Sequence, residues 1–178
     1  MHSAFLDFPR ERTEFSDQAY GAAGRALAYA TAFEALCRTL NSLQHVRDRV
    51  GEIRRTIQEP DEAFALAVAE IWDQRLHQHV RNILQYHEYP SDIGTAVKAA
   101  KAARNEIAHE LTLGLPSTVE TDEGRTELLV RLSQLVNALA DGYAIIEITS
   151  LAETNEPIPT LSSLSSYPSK IVEWVIEP

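Results

Sequence analysis

Cysteine is almost absent from this chain of 178 residues: Cys37 is the single one, so no internal disulfide can form. A lone thiol of this kind is typical of a protein in a reducing compartment. We expect Cys37 to be a small buried residue rather than a nucleophile. Glycine and proline are also scarce, with seven and eight residues, and most prolines lie near the ends. Few positions in the middle of the chain would therefore interrupt a helix.

Long apolar runs and an excess of basic residues are missing as well. No apolar run approaches the ~18 residues of a membrane-spanning helix, and the stretch MHSAFLDFPRER has no apolar core of signal-peptide length. We therefore expect a cytoplasmic protein without a membrane span. The formal net charge of −10 argues against a protein that coats nucleic acid through a basic face. A net charge of this sign is compatible with a small basic cleft or with a cationic partner.

The hydrophobic pattern predicts helix nearly throughout the chain. Residues 15–57 include no proline, and the apolar residues of this segment recur at alternating steps of three and four. This spacing is typical of one long helix that packs along its length. The stripe consists of Phe33, Leu36, Leu40, Leu43, Val50, Ile53 and Ile57.

Three further helices are predicted after Pro60. Asp61 is a suitable N-cap for a second helix, whose apolar residues repeat at helical spacing over residues 64–84. A third helix is expected over residues 91–113 and a fourth over residues 125–148. Long helices joined by short polar turns favour an all-α fold, an up-and-down bundle of about four long helices.

The C-terminal part of the chain differs in composition. The stretch NEPIPTLSSLSSYPSK is rich in proline and serine, and we expect it to be an extended segment that runs over the surface. The apolar KIVEWVIEP that follows is expected to form a short helix or a strand, and Trp174 suggests that it docks. The predicted organisation is an N-terminal arm (1–15), a helical-bundle domain (16–150) and a C-terminal tail (151–178).

The third helix carries a group of polar residues in the stretch AARNEIAHEL. When the side chains are placed at ~100° per residue, one arc is apolar and forms the expected core face. Asn105 and His109 are four residues apart and stack on a second arc. Lys98 and Lys101 share that arc, and Arg104 lies at the border between the two. The core arc consists of Ile93, Ala96, Val97, Ala100, Ala103, Ile107 and Leu111.

This cationic strip suits a phosphodiester substrate. Arginine offers a planar fork of donors to phosphate oxygens, and histidine can take or give a proton near neutral pH. RNA carries its own nucleophile, the 2′-hydroxyl, so its cleavage requires no metal in principle. We therefore consider Arg104, Asn105 and His109 candidate catalytic residues. Lys98 and Lys101 are candidate substrate-binding residues.

No set of metal ligands and no cofactor motif is evident in the sequence. His77 and His79 are two residues apart, which places them on different faces of a helix. The chain contains neither a glycine-rich phosphate loop nor a nucleophile elbow. We therefore expect neither a metal nor a cofactor.

The six residues RNEIAH resemble the R-x(4–6)-H motif of the HEPN superfamily, which is usually seen as Arg-polar-x-x-x-His. The resemblance in helical layout covers residues 16–148, with the motif late in the bundle as in that family. It implies a metal-independent endoribonuclease, a toxin or antiphage effector, that cleaves RNA by attack of the 2′-hydroxyl. Carried over by position, Arg104 would stabilise the phosphate, Asn105 would assist, and His109 would be the acid–base residue.

The resemblance also implies partners besides RNA. Family members typically form homodimers in which the two motifs meet at the interface, and toxin members have a cognate antitoxin or another neutralising protein. One subgroup has a tyrosine two residues after the histidine, which a partner nucleotidyltransferase modifies. Here that position is Leu111, so this silencing route lacks its acceptor, and a neutralising partner of another kind remains open.

Two other interpretations of the chain remain open. One is a non-catalytic HEPN-like module that binds nucleotide, RNA or a protein, and the other is an unrelated helical bundle that serves assembly. The net charge of −10 favours both. The stretch RNILQYH also fits the loose motif, but Asn82 and His87 diverge by roughly 140° on a helix. We therefore expect Arg81 to be a structural or auxiliary charge.

The first helix carries a basic cluster near its end. Such runs are usually a solvated helix face, which is the expected role here. The alternative is a flank of an RNA groove or a docking site for an acidic partner. The cluster consists of Arg47, Arg49, Arg54 and Arg55.

Overall fold

The computed structural model describes residues 14–53, 60–72, 74–111, 119 and 121–177. Residues 1–13 of the predicted arm, together with Arg54 and Arg55 of the basic cluster, lie outside the described residues. Within the described part the chain forms six α-helices and one π-helical turn, without a strand, so the predicted all-α helical bundle is confirmed. The helices are α1 (Glu14–Ile53), α2 (Pro60–Trp72), α3 (Leu76–Tyr86), α4 (Ser91–Asn105), α5 (Asp122–Thr154) and α6 (Leu161–Ile176), and the π-helical turn (Glu106–Leu111) follows α4.

The first predicted helix is confirmed as α1, which is 40 residues long. Its predicted stripe enters the core at Phe33 and Leu40, both fully buried, but Leu43 is 39% exposed. A straight α-helix has about 3.6 residues per turn, so a stripe with a shorter repeat drifts around its surface. Asn41 and Gln44 are consequently buried in place of Leu43. The side chains at positions 50, 53 and 57 lie outside the described part of the chain.

The second predicted helix is wrong in one respect, because the structure divides it into α2 and α3. The chain leaves the helix after Trp72 and resumes it at Leu76, with Arg75 extended at φ −80° and ψ 155°. The Gln78 side chain accepts a hydrogen bond from the Arg75 backbone N–H at 2.8 Å and so closes the start of α3. The hydrophobic pattern does not reveal the break, since Ile71 and Leu76 are buried on either side of it.

The fourth predicted helix is confirmed as α5 and extends further at both ends. Thr121 caps its start, where the hydroxyl oxygen accepts a hydrogen bond from the Gly124 N–H at 3.0 Å. Asn155 ends it in the left-handed conformation at φ 57°, which asparagine tolerates better than most residues. Helix α5 packs against α1, α4 and α6 and is therefore central to the bundle.

Helix α5 is also long and apolar enough to cross a membrane, judged by length and composition alone. The sequence analysis did not expect such a segment. Leu132, Val136 and Leu139 of this helix are fully buried inside the bundle. The core helix of a globular bundle passes the same test, so one such helix is weak evidence for a membrane span. In the described structure its apolar face is used for packing.

Helices α4 and α5 approach each other closely at Gly142, which is buried. A Cβ atom added at Gly142 would overlap the Cβ of Ala100 and would lie 3.5 Å from the carbonyl oxygen of Ala96. Ala100 has no side-chain torsion that could move its methyl group away. The absence of a side chain at position 142 therefore sets how deeply α4, the helix that carries the RNEIAH motif, packs into the bundle.

Gly142→Ala should lower the free energy of unfolding by about 1–3 kcal/mol, the range for an overpacked core. The overlap with Ala100 outweighs the ~1 kcal/mol by which alanine favours a helix over glycine. Gly24→Ala is the matched control, because Gly24 lies within α1 and an added Cβ there meets nothing within 4 Å. Urea denaturation measures both variants. Equal stabilities would contradict a close approach of α4 and α5 at Gly142.

The predicted extended segment is wrong from residue 161 onward, because residues 161–176 form helix α6, and only residues 155–160 of the stretch lie outside a helix. The apolar KIVEWVIEP, expected to be a short helix or a strand, forms the end of this helix. Thr160 caps the helix, its hydroxyl oxygen accepting a hydrogen bond from the Ser163 N–H at 3.4 Å. Serine and proline are poor helix formers, so composition argued for an extended chain. Packing of α6 against α5 and α1 overrides this local preference, even with Pro168 inside the helix.

The end of the tail packs against the bundle as expected. The buried residue is Val175, however, and not Trp174, on which the expectation was based. Trp174 is 52% exposed, whereas its neighbour Val175 is fully buried. Arg25 of α1 holds this end of α6: its Nε donates to the carbonyl oxygen of Val175 and its Nη2 to that of Glu177, both at 3.0 Å. Adjacent residues on a helix point ~100° apart, so a buried Val175 turns Trp174 outward.

Candidate functional site

The predicted core face of the third helix is confirmed in α4 and in the turn that follows it. Val97, Ala100, Ala103 and Ile107 are buried, which turns the opposite side of the helix toward solvent. The RNEIAH motif begins in the last residues of α4 and continues into the π-helical turn. Within this motif the structure brings together the three candidate catalytic residues, which we call the Arg–Asn–His cluster: Arg104, Asn105 and His109.

The π-helical turn is what brings His109 to Arg104. Residues five apart on a regular α-helix diverge by roughly 140°. A π-helical turn, closed by i→i+5 hydrogen bonds, places residue i+5 much closer to residue i. Such turns are rare and are frequently found at functional sites. The sequence analysis assumed a regular helix and did not anticipate this turn.

Arg104 makes the two hydrogen bonds that define the Arg–Asn–His cluster. Its Nη1 lies 3.3 Å from Asn105 Oδ1 and 3.3 Å from His109 Nε2. A guanidinium group can only donate, so Nε2 must offer a lone pair and the imidazole proton must lie on Nδ1. In this arrangement the Nε2 lone pair accepts from Arg104, and it becomes available for general-base chemistry when the guanidinium turns to a ligand. Asn105 and His109 are both exposed, so a ligand in solution can reach them.

A carboxylate on the first helix holds the other end of the Arg104 side chain. Arg104 Nη2 forms an ion pair with Glu34, and the two side chains are only 18% and 21% exposed. Glu34 also lies 3.8 Å from Arg38 Nη2, one turn further along α1. Arg104 is therefore fixed between α1 and its own helix. Neither spacing nor composition indicated Glu34, because the contact joins residues 70 positions apart.

The π-helical turn itself is tied to α5. Arg131 donates from Nε and Nη2 to the two carboxylate oxygens of Glu106, both at 2.6 Å, and this pairing raises the pKa of Arg131. Ile107, the next residue, is buried in the core. Arg104, Glu106 and Ile107 of the motif are thus anchored to α1, α5 and the core, respectively. This arrangement leaves Asn105 and His109 directed outward.

The two candidate substrate-binding lysines lie on the same side of α4 as Asn105. Lys98 is exposed and Lys101 is partly exposed, respectively two turns and one turn before Asn105. Among the described residues neither lysine side chain forms a hydrogen bond or an ion pair. The structure thus places both beside the Arg–Asn–His cluster as cationic groups without bringing them into contact with it.

The second match to the loose motif does not form a cluster. Arg81 is exposed on α3, whereas the His87 side chain is only 15% exposed. His87 contacts the Gln44 side chain and lies between the rings of Tyr86 and Tyr89. Burial lowers the pKa of His87. His87 contacts neither Arg81 nor Asn82, whose side chain instead donates to Gln74 Oε1, and this agrees with the predicted divergence of Asn82 and His87.

Three further sequence expectations can be compared with the structure. His77 is exposed and His79 is buried, so the two face different directions as predicted. Cys37 is fully buried, as expected, and burial raises the pKa of its thiol. In the part of the chain that the structure describes, no group of three or more metal-ligating side chains is positioned to hold an ion.

The described members of the basic cluster on α1 are paired with carboxylates. Arg47 forms an ion pair with Glu153, and Arg49 lies 3.1 Å from Glu70. These contacts neutralise the two arginines and join α1 to α5 and α2. They favour the predicted solvated, structural face over the alternative of an RNA groove.

Comparisons of the chain with protein-family models, with curated proteins and with solved structures find no match. The function of this protein must therefore be inferred from the chemistry of its own side chains. Among the described residues the Arg–Asn–His cluster joins a guanidinium group to an exposed imidazole.

Proposed function

We propose that this protein is a metal-independent endoribonuclease of the HEPN type, a cytoplasmic toxin or antiphage effector. A single observation carries the proposal: Arg104 Nη1 lies 3.3 Å from His109 Nε2, and the imidazole is exposed. A phosphate oxygen could take the place of His109 Nε2 as the acceptor of the hydrogen bond from Arg104. The phosphate would then lie beside the imidazole. The motif RNEIAH and the helical layout resemble that family, and this supports the same proposal.

The proposed reaction requires only proton transfers and one exchange at phosphorus. His109 Nε2 takes the proton of the 2′-hydroxyl, and the 2′-oxygen attacks the adjacent phosphorus. The bond from phosphorus to the 5′-oxygen breaks, and an acid protonates the leaving oxygen. Arg104 stabilises the charge that grows on the non-bridging oxygens, and Asn105 orients the groups around it. The products are a 2′,3′-cyclic phosphate and a free 5′-hydroxyl.

A homodimer would supply both the base and the acid. One Arg–Asn–His cluster offers a single imidazole, whereas a two-fold axis beside α4 would bring a second His109 to the same phosphate. Ala99 and Ala102 are exposed on α4 and would allow two such helices to approach. Ala103, a member of the core arc, is buried and does not contribute to this surface.

The proposal is tested by cleavage of RNA in the presence of a chelator. Purified protein should cut single-stranded RNA at the same rate with and without EDTA, since the reaction uses the 2′-hydroxyl and the imidazole. DNA of the same sequence should remain intact because it lacks the nucleophile. Loss of activity in EDTA and its restoration by a divalent ion would contradict the mechanism. Cleavage of the DNA would contradict it as well.

Glu34 should act as a positioning residue for Arg104. Glu34→Gln removes the charge of the ion pair while keeping a side chain of the same size. We expect kcat to fall about ten-fold with KM less affected, because a misplaced guanidinium loses mainly transition-state contacts. Glu34→Asp should recover part of the rate. Glu70→Gln, which removes the carboxylate of α2 that pairs with Arg49, is the control and should leave kcat unchanged. A normal kcat for Glu34→Gln would contradict this role.

A non-catalytic module that binds nucleotide, RNA or a protein partner is the second candidate function. Glu34 already occupies one end of the Arg104 guanidinium, and the net charge of the chain is −10. Both features would weaken capture of a long polyanion. RNA or a nucleotide that binds the Arg–Asn–His cluster and is not cut would favour this candidate.

A further inference from the structure

An exposed aromatic side chain, Trp72, lies at the end of α2. Trp72 is 61% exposed, and the guanidinium carbon of Arg38 lies over its ring, 5.6 Å from the ring centroid. A tryptophan covered on both faces could not expose so much of its surface. One face of the indole therefore rests against Arg38, and the other face is open to solvent.

Successive contacts connect this ring to the proposed phosphate-binding group. Arg38 lies under the indole and 3.8 Å from Glu34, and Glu34 forms the ion pair with Arg104. Arg38 and Glu34 are one turn apart on α1, so the connection is short. Three successive contacts thus join the indole of Trp72 to the guanidinium of Arg104.

We propose that Trp72, supported by Arg38, is a stacking site for a nucleobase of single-stranded RNA whose backbone runs past Arg104. This inference rests on the proposed function and deepens it by assigning a second contact of the substrate. An exposed aromatic face binds any base by stacking, so the site would be tolerant of sequence. Arg38 carries positive charge beneath the ring and lies within reach of a flanking phosphate.

The site can be observed directly by fluorescence, because the chain has only two tryptophans. Trp174→Phe leaves Trp72 as the single indole. The probe is a mixed-sequence 2′-O-methyl oligonucleotide of eight nucleotides, which lacks the free 2′-hydroxyl and so cannot be cut. Stacking of a base should quench the emission of Trp72. An abasic oligonucleotide with the same phosphates should quench it much less, since only the base is missing.

Substitutions test the same site by affinity. Trp72→Ala should weaken binding of the 2′-O-methyl probe by about 5- to 100-fold, the range for loss of one stacked base. Trp72→Phe should lose less, because an aromatic ring remains. Trp174→Ala is the matched control: this tryptophan is similarly exposed, at 52%, but lies on α6, and binding should not change.

The outcomes separate this inference from the proposed catalysis. Quenching by the probe without cleavage of natural RNA would support the stacking site and count against the ribonuclease. Cleavage of RNA with an unchanged KM in Trp72→Ala would overturn the stacking site and leave the ribonuclease standing. Equal quenching by the abasic probe, or no binding of either probe, would also overturn it. The exposed Phe64 and Leu66 on α2 would then make a protein partner the better explanation of this surface.

Discussion

His109→Ala should lower the rate of RNA cleavage by roughly two to four orders of magnitude, the range for loss of an acid–base residue. The structure supports this size of effect because the Nε2 lone pair faces Arg104, and in the proposal the same guanidinium binds the phosphate. Without the imidazole the 2′-hydroxyl has no adjacent base. Activity on RNA, measured in single-turnover assays, gives the rate of the chemical step alone.

The same substitution should leave stability almost unchanged, within about 0.5 kcal/mol, because His109 is an exposed surface residue. His77→Ala is the matched control, since His77 is an exposed histidine on α3 and should retain full activity. Thermal melting of both variants and of the wild type checks that loss of activity is not loss of fold. A much lower melting temperature for His109→Ala would mean that this histidine is structural and that the site is misassigned.

A dimer with one intact and one inactivated protomer should be nearly inactive. The inactivated protomer carries Ala at positions 104, 105 and 109. If each phosphate is cut between two Arg–Asn–His clusters, one protomer provides the base and its partner the acid, so a single intact cluster lacks one of them. We therefore expect this heterodimer to lose nearly as much activity as His109→Ala does.

Coexpression with two different affinity tags isolates the heterodimer, and a doubly tagged wild-type dimer is its control. Retention of about half of the wild-type activity would show that each chain carries an independent site. Full activity of a monomer would show the same. Either result would remove the dimer from the mechanism while leaving the roles of Arg104 and His109 intact.

Most of the architecture could be predicted because it depends on local patterns. The 3.6-residue period and the capping residues indicate where helices run, and the apolar arc of α4 correctly identified its buried side. The same arc placed Asn105 and His109 on the solvent side. Sequence patterns gave wrong predictions where tertiary packing, rather than local preference, determines the secondary structure. The break between α2 and α3 interrupts no apolar repeat, and the serine-rich α6 is stabilised by burial of residues such as Val175.

The residues of the candidate site could be predicted from the sequence, but their relative positions could not. Sequence spacing selected Arg104 and His109, yet on a regular helix these residues would diverge. The π-helical turn that joins them depends on anchors from distant parts of the chain, namely Arg131 on Glu106 and the burial of Ile107. Glu34, which holds Arg104, lies still further away, 70 positions along the sequence. No local pattern encodes contacts of this kind.

The chemical ends of the cleavage products test the central claim most directly. An RNA oligonucleotide treated with the wild-type protein in EDTA can be analysed by mass spectrometry for the group on each new end. We expect a 2′,3′-cyclic phosphate on one product and a free 5′-hydroxyl on the other, because the 2′-oxygen is the nucleophile. A 3′-hydroxyl with a 5′-phosphate would show attack by water and would contradict the mechanism. Intact RNA would contradict the assignment of this protein as a ribonuclease.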